Sequence, residues 1–181
     1  MTRTRPNPRP IGAQRLEEMA LAYVARFATS AAKLDGYLRR KLRERGWEGE
    51  GDAPVERIVA RFVEAGYVDD AAFARAKTGS LLRRGYGARR IAQALGAAGI
   101  AEDVRAMARA GQGAQRQAAL ALARKRGFGP FGKAAPDRPL RERQIAAMLR
   151  AGHPLDSARE LVNATDVDAA LGWAAQADED T

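Results

Sequence analysis

The side chains of this sequence that can do chemistry are mostly arginines, and what arginine does well is bind oxyanions through a planar, permanently charged fork. In Arg39-Arg40-Lys41-Leu42-Arg43-Glu44-Arg45, the pairs Arg39/Arg43 and Lys41/Arg45 stand four residues apart. On a helix they make two basic rows beside an apolar stripe. Like charges at that spacing repel by a few tenths of a kcal/mol per pair, which an external anion would offset. Arg83, Arg84, Arg89 and Arg90 flank Gly85-Tyr86-Gly87 at the start of another helical segment. A helix start favours phosphate or an acidic side chain. Arg141 and Arg143 open a third basic segment.

Other candidate groups read as structural. Asp69-Asp70 is a carboxylate pair, but neighbours at a helix start diverge in direction, and no histidine or third acid lies near them in sequence. Helix capping is the expected role. His153, the only histidine, lies between Gly152 and Pro154 and reads as part of a surface turn. With one histidine and no cysteine, disulfides and thiolate metal sites are excluded, and a Ser-His-Asp triad has no supporting context. Gly85-Tyr86-Gly87 lacks the preceding strand and the Gly-Lys-Ser/Thr of a phosphate loop. Phe128-Gly129-Pro130-Phe131 reads as an aromatic turn packed under its neighbouring helices. No enzymatic activity, metal or cofactor is expected.

Charge is unevenly spread. Residues 153–181 hold seven acids and one arginine, net −6, which leaves +15 for residues 1–152 out of an overall +9. A basic body of that size implies a polyanionic partner, either nucleic acid or an acidic protein surface. The absence of cysteine, of a long apolar run and of an apolar signal core in Met1-Thr2-Arg3-Thr4-Arg5-Pro6 points to a cytoplasmic location.

The elements that must position these arginines repeat. Leu38, Leu42 and Gly46 recur 53 positions later as Ile91, Leu95 and Gly99, and the pair recurs 54 positions further on as Ile145 and Leu149, ahead of Gly152. Such self-similarity marks one supersecondary unit used three times. Leu16, Met19, Ala20, Tyr23, Val24 and Phe27 follow helical spacing. So do Leu34, Tyr37, Leu38 and Leu42 after a Thr29-Ser30 cap, and Val55, Ile58, Val59, Phe62 and Val63 after Pro54. A helix start at Asp69-Asp70 follows Gly66, and the second copy of the repeat runs from Ala88 to Ala98. A short helix from Glu102 points Val104 and Met107 inward. Helices are then expected near 115–126, near 140–151, and from Pro154 with Leu155, Ala158, Leu161 and Val162 inward.

Aromatics are only 6 % of the chain and much of its apolar content is alanine, which suits thin helical packing. The expected fold is all-α: three tandem three-helix, helix-turn-helix-like repeats forming an elongated, curved array. Its boundaries fall at 16–66, 67–110 and 111–164. Residues 1–15 form a disordered basic tail, and residues 165–181 an acidic tail with a short helix through Val167, Ala170, Leu171 and Trp173. A monomer is expected.

Gly66-Tyr67-Val68-Asp69-Asp70-Ala71-Ala72-Phe73-Ala74 resembles the central element of the RecX family of regulatory proteins, modulators of the RecA recombinase. Gly85-Tyr86-Gly87-Ala88-Arg89-Arg90-Ile91 and Leu95-x-x-x-Gly99-Ile100 are similar to segments that follow it in that family. The resemblance spans residues 16–163 and carries Gly66, Tyr67, Asp69, Asp70, Phe73, Gly87, Ile91, Leu95 and Gly99 as its structural motif. The first repeat departs from the family pattern at Phe27 to Leu34, where relatives carry an arginine-rich segment, and the third departs at its Gly-Phe-Gly-Pro-Phe-Gly insertion. The resemblance implies a non-enzymatic regulator that binds the RecA filament along its groove. There it would modulate, and mainly inhibit, ATPase, strand exchange and co-protease activity in DNA repair and the SOS response, with DNA in the filament as a further contact. The alternative is a helix-turn-helix-like protein that binds DNA directly. Few aromatics interleave with the basic runs, so stacking of single-stranded bases is expected to be weak.

Overall fold

The computed structural model describes residues 9–176. They form ten α-helices and, among the described residues, no strand beyond one isolated parallel bridge between Ile11 and Trp47. The result is an all-α helical repeat array. Two units can be separated, one of residues up to 73 together with 98–100, the other of 74–97 together with residues from 101 onward.

The first unit contains α1 (Ala13–Arg26), α2 (Ala31–Arg45), α3 (Val55–Glu64) and the first turn of α4 (Asp70–Arg83). Its core takes Leu16, Met19 and Ala20 from α1, Leu34 and Leu38 from α2, and Val55, Ile58 and Phe62 from α3. The expected inward stripes are present, with two corrections: Phe27 is 52 % exposed, because α1 ends at Arg26 and Phe27 already has extended backbone, and Val63 is 45 % exposed, because the stripe of α3 runs through Phe62 and leaves Val63 on its edge.

A larger correction concerns residues 9–15, expected to be part of a disordered tail. Ile11 is completely buried in this core, its N–H donates to Gly46 O at 3.0 Å and its carbonyl accepts from Glu48 N at 3.1 Å. An apolar side chain flanked by Pro10 and Gly12 is too short a signal to read from periodicity. Residues 1–8 of that tail, and the acidic end Asp178-Glu179-Asp180, lie outside the described residues.

Three side chains close the starts of α2 and α4. Ser30 caps α2 by accepting from Lys33 N at 3.3 Å, and its hydroxyl donates to Ala98 O at 2.6 Å. Asp69 caps α4 by accepting from Ala72 N at 2.8 Å. Asp70 does something the sequence did not reveal: its carboxylate accepts from Ala31 N at 2.8 Å, so it caps α2 as well as standing in the first turn of its own helix. The expected capping role of the acid pair is therefore split between two helices.

The second unit holds the rest of α4, α5 (Ala88–Gly96), α6 (Glu102–Met107), α7 (Gln112–Arg126), α8 (Arg138–Arg150), α9 (Leu155–Asn163) and α10 (Val167–Ala175), with a 3-10 turn at Gly129–Phe131. One core is built from Ala119, Leu120 and Ala123 of α7, Met148 of α8, Ala158, Leu161 and Val162 of α9, and Ala170 and Ala174 of α10. So many alanines let the helices approach closely. Phe128 and Phe131 pack partly buried against this core, and Gly129 N donates to the buried Gln144 Oε1 at 2.9 Å. The aromatic turn is thus held under the helices, as expected.

Four apolar assignments change here. Met107 is 73 % exposed, since α6 is a six-residue helix none of whose residues is buried. Leu155 is 40 % exposed because the inward stripe of α9 begins a turn later, at Ala158. In the third copy of the repeat Ile145 and Leu149 are only half-buried, and Met148, fully buried, takes the central place. Finally α10, expected as a loose tail element, is a core helix capped by Asp166, which accepts from Ala169 N at 2.8 Å.

Candidate partner-binding surface

The repeat's glycines sit at joints. In the first unit, the turn Ala98-Gly99-Ile100 lies against the first turn of α2, and a Cβ on Gly99 would fall 2.2 Å from Ala32 Cβ. In the second unit, the turn Ala151-Gly152-His153 lies against the first turn of α5. Gly87 N donates to Ala151 O at 2.9 Å, Arg89 N donates to Gly152 O at 3.2 Å, and the Arg89 guanidinium donates to Leu149 O at 2.6 Å. The positive end of α5 therefore faces the negative end of α8. Two amides at this end, Gly87 N and Arg89 N, therefore already have carbonyl partners, so an anion here would meet arginine side chains rather than those amides.

His153 is a second correction. It is not on a surface turn but 4 % exposed, with Nε2 2.9 Å from Gly85 O. A carbonyl only accepts, so Nε2 carries the proton. Burial pushes the imidazole below its ordinary pKa, with the bond to Gly85 partly opposing. The unfolded chain therefore binds a proton more readily than the folded one. Stability is expected to be flat above the ordinary histidine pKa, about 6.5, and to fall as pH drops below it, until the folded state also protonates. Because His153 is the only histidine, its ring resonances in a pH titration by NMR report it directly. A midpoint at or above 6.5 would contradict this assignment.

On α2, much of the basic row is engaged within the protein. Arg39 pairs with Asp35 at 2.9 Å and with Glu56, Arg40 with Glu44 at 3.7 Å, and Lys41 with Glu44 at 2.6 Å. Hydrogen bonds to Asp35 and then Glu56 raise the Arg39 pKa; Lys41 is the main cause holding the Glu44 carboxyl below its ordinary value. Arg45 donates to Arg9 O at 3.1 Å. Only Arg43 of this row has no ion pair or side-chain hydrogen bond among the described residues. Asp35, Glu44 and Glu56 interleave with the cations, which a count of arginines alone passes over. These pairs are solvent-exposed and screened, so a partner's acids can exchange for them.

Elsewhere, Arg83 and Arg143 are exposed, and Arg141 lines a shallow cleft together with the loop 132–136 and Asp166. Arg84 lies 5.3 Å over the Tyr86 ring, and Arg90 is exposed beside it. Of the expected motif, Ile91 and Leu95 are core residues, Gly66, Gly87 and Gly99 occupy turns, and Phe73 is half-buried beneath the Lys33 ammonium at 5.1 Å. Tyr67 is 59 % exposed, tilted against Phe62 at 5.5 Å. Among the described residues, no group of three or more His, Cys, Asp or Glu side chains could hold a metal ion, and no helix is long and apolar enough to cross a membrane.

This is a tandem helical repeat protein whose exposed chemistry is cationic. A family model for the second three-helix domain of RecX matches residues 69–108. The regulatory protein RecX of Myxococcus xanthus is 33 % identical over 165 residues, covering 86 % of this chain and 88 % of that protein. The regulatory protein RecX of Mycobacterium sp. strain JLS is 35 % identical over 122 residues, 66 % of this chain and 65 % of that one. In fold, the crystal structure of RecX from Lactobacillus salivarius superposes with a TM-score of 0.66 over 91 % of this chain and 97 % of that one, at 14 % identity. The chain belongs to the RecX family of regulatory proteins.

Proposed function

We propose that this protein is a cytoplasmic, non-enzymatic regulator of a RecA-type recombinase, acting as a monomer. It binds the filament along its groove and lowers ATP hydrolysis, strand exchange and co-protease activity. The observation that carries this reading is the 33 % identity with a regulatory protein RecX across 86 % of the chain. The outward arginines of successive repeats support it, because a recombinase filament offers repeated acidic and phosphate surfaces. Three repeats, with boundaries near 16–66, 67–110 and 111–164, would contact successive subunits, so that weak contacts add through avidity.

The test is the DNA-dependent ATPase of the cognate recombinase with this protein added below stoichiometry. Inhibition is expected, and its absence would overturn the reading. Arg43→Ala is expected to raise the concentration needed for half-inhibition severalfold. Arg39→Ala should do less, since Arg39 is already shared between Asp35 and Glu56. Unchanged inhibition by the Arg43 variant would remove α2 from the contact surface.

A further inference from the structure

Within the second unit, the ends of α7 and α8, the α4–α5 turn and the first turn of α5 enclose an open cleft of about 400 Å³. Arg84, Arg90, Lys125, Arg126 and Arg150 all line it, no carboxylate does, and none of the five makes an ion pair among the described residues. The sequence separates these cations by up to 66 positions, so only the fold brings them together. Cations are common in the last turn of a helix, where they complement the dipole, and that would account for Lys125, Arg126 and Arg150. It does not account for Arg90. Arg90 stands in the first turn of α5, the end at which a cation is disfavoured and at which no acid compensates it. Five like charges around one cleft repel unless an anion joins them.

The rest of the lining indicates which anion. Between the cations lie the rings of Tyr86 and Phe128 and the aliphatic side chain of Leu122. An acidic peptide has carboxylates on short stems and little to place on such a floor. A nucleotide has both parts, a phosphate for the guanidinium forks and a sugar and base for the apolar surface. The volume is at the low end for a small-ligand site and suits one nucleotide unit at a time. We propose that this cleft binds the phosphodiester backbone of single-stranded nucleic acid, with a sugar or base laid against Tyr86 and Phe128. Arg84-Gly85-Tyr86 and Arg126-Gly127-Phe128 each set a cation near a ring along the chain, and packing brings the two pairs to one cleft.

This site does not depend on the recombinase, so it is tested without one. Binding of the full-length protein to a fluorescently labelled oligothymidylate is measured by anisotropy over a series of salt concentrations. The double variant Arg90→Gln/Arg126→Gln, whose altered side chains are exposed, is expected to bind at least tenfold more weakly. Its slope of log affinity against log salt should be shallower by about 1.4, two phosphate contacts at roughly 0.7 each. Circular dichroism should show unchanged helicity, and Arg57→Gln/Arg75→Gln, at exposed cations outside the cleft, should leave both affinity and slope near those of the parent. Unchanged affinity and slope in the cleft variant would overturn the proposal. So would displacement of the oligonucleotide by polyglutamate at equal concentration of charge, which would mean the cleft reads any polyanion.

Discussion

Gly152→Ala is expected to destabilise the second unit by about 2–5 kcal/mol, seen as a lower midpoint in urea unfolding followed by far-UV circular dichroism. Two effects combine. Gly152 has φ +96°, where a Cβ costs about 1–2 kcal/mol. That Cβ would also stand 2.4 Å from Arg90 N and 3.0 Å from Gly87 O, backbone atoms held by the joint between α8 and α5. Forcing an atom into such a packed site adds about 1–3 kcal/mol. The informative control is Gly46→Ala, at the equivalent place in the first copy. Gly46 has φ +83° and ψ 166°, a region almost confined to glycine, but nothing within 4 Å of its added Cβ, so only the backbone part, about 1–3 kcal/mol, should appear. Equal losses in the two variants would show that the close approach at Gly152 carries no energy.

Ile11→Ala is expected to cost about 2–5 kcal/mol, the usual range for emptying a fully buried aliphatic site. The substitution leaves the backbone bonds to Gly46 and Glu48 in place, so the loss isolates the side chain packed among Leu16, Leu34 and their neighbours. Leu155→Ala, at a residue 40 % exposed, should cost far less. If the Ile11 variant unfolds at the parental denaturant concentration, residues 9–12 are an appendage after all.

These two sites also mark where sequence reading reaches and where it stops. Helical stripes with several apolar members, such as Leu34 to Leu42 or Val55 to Phe62, are legible because periodicity repeats the signal; their ends are legible from Ser30, Asp69 and the glycines. Ile11 offers one apolar residue with no period. The roles of His153 and Asp70 are hidden for another reason: their partners, Gly85 and Ala31, lie 68 and 39 positions away, and no local pattern encodes such a bond. The candidate surface shows the same division. Runs of arginine are visible in the chain, but which arginines are engaged is decided by acids such as Glu56, reached only across a loop. Lys125 and Arg126 read as an ordinary helix end until packing sets them beside Arg84 and Arg90.

The joints have a direction. In two places the glycine turn that ends one copy's helix docks on the opening turn of the copy before it: Gly99 at the start of α2, and Gly152 at the start of α5. Among the described residues no such turn reaches the start of α8, and the side chain of Asp137 caps the helix by accepting from Leu140 N at 2.9 Å. The repeat behaves like a monomer with a donor end and an acceptor end, and α8 is the copy whose acceptor end meets no turn among the described residues. Lengthening the array by one copy is then a local edit: an acceptor surface at α8 in place of that aspartate, and an incoming glycine turn to meet it.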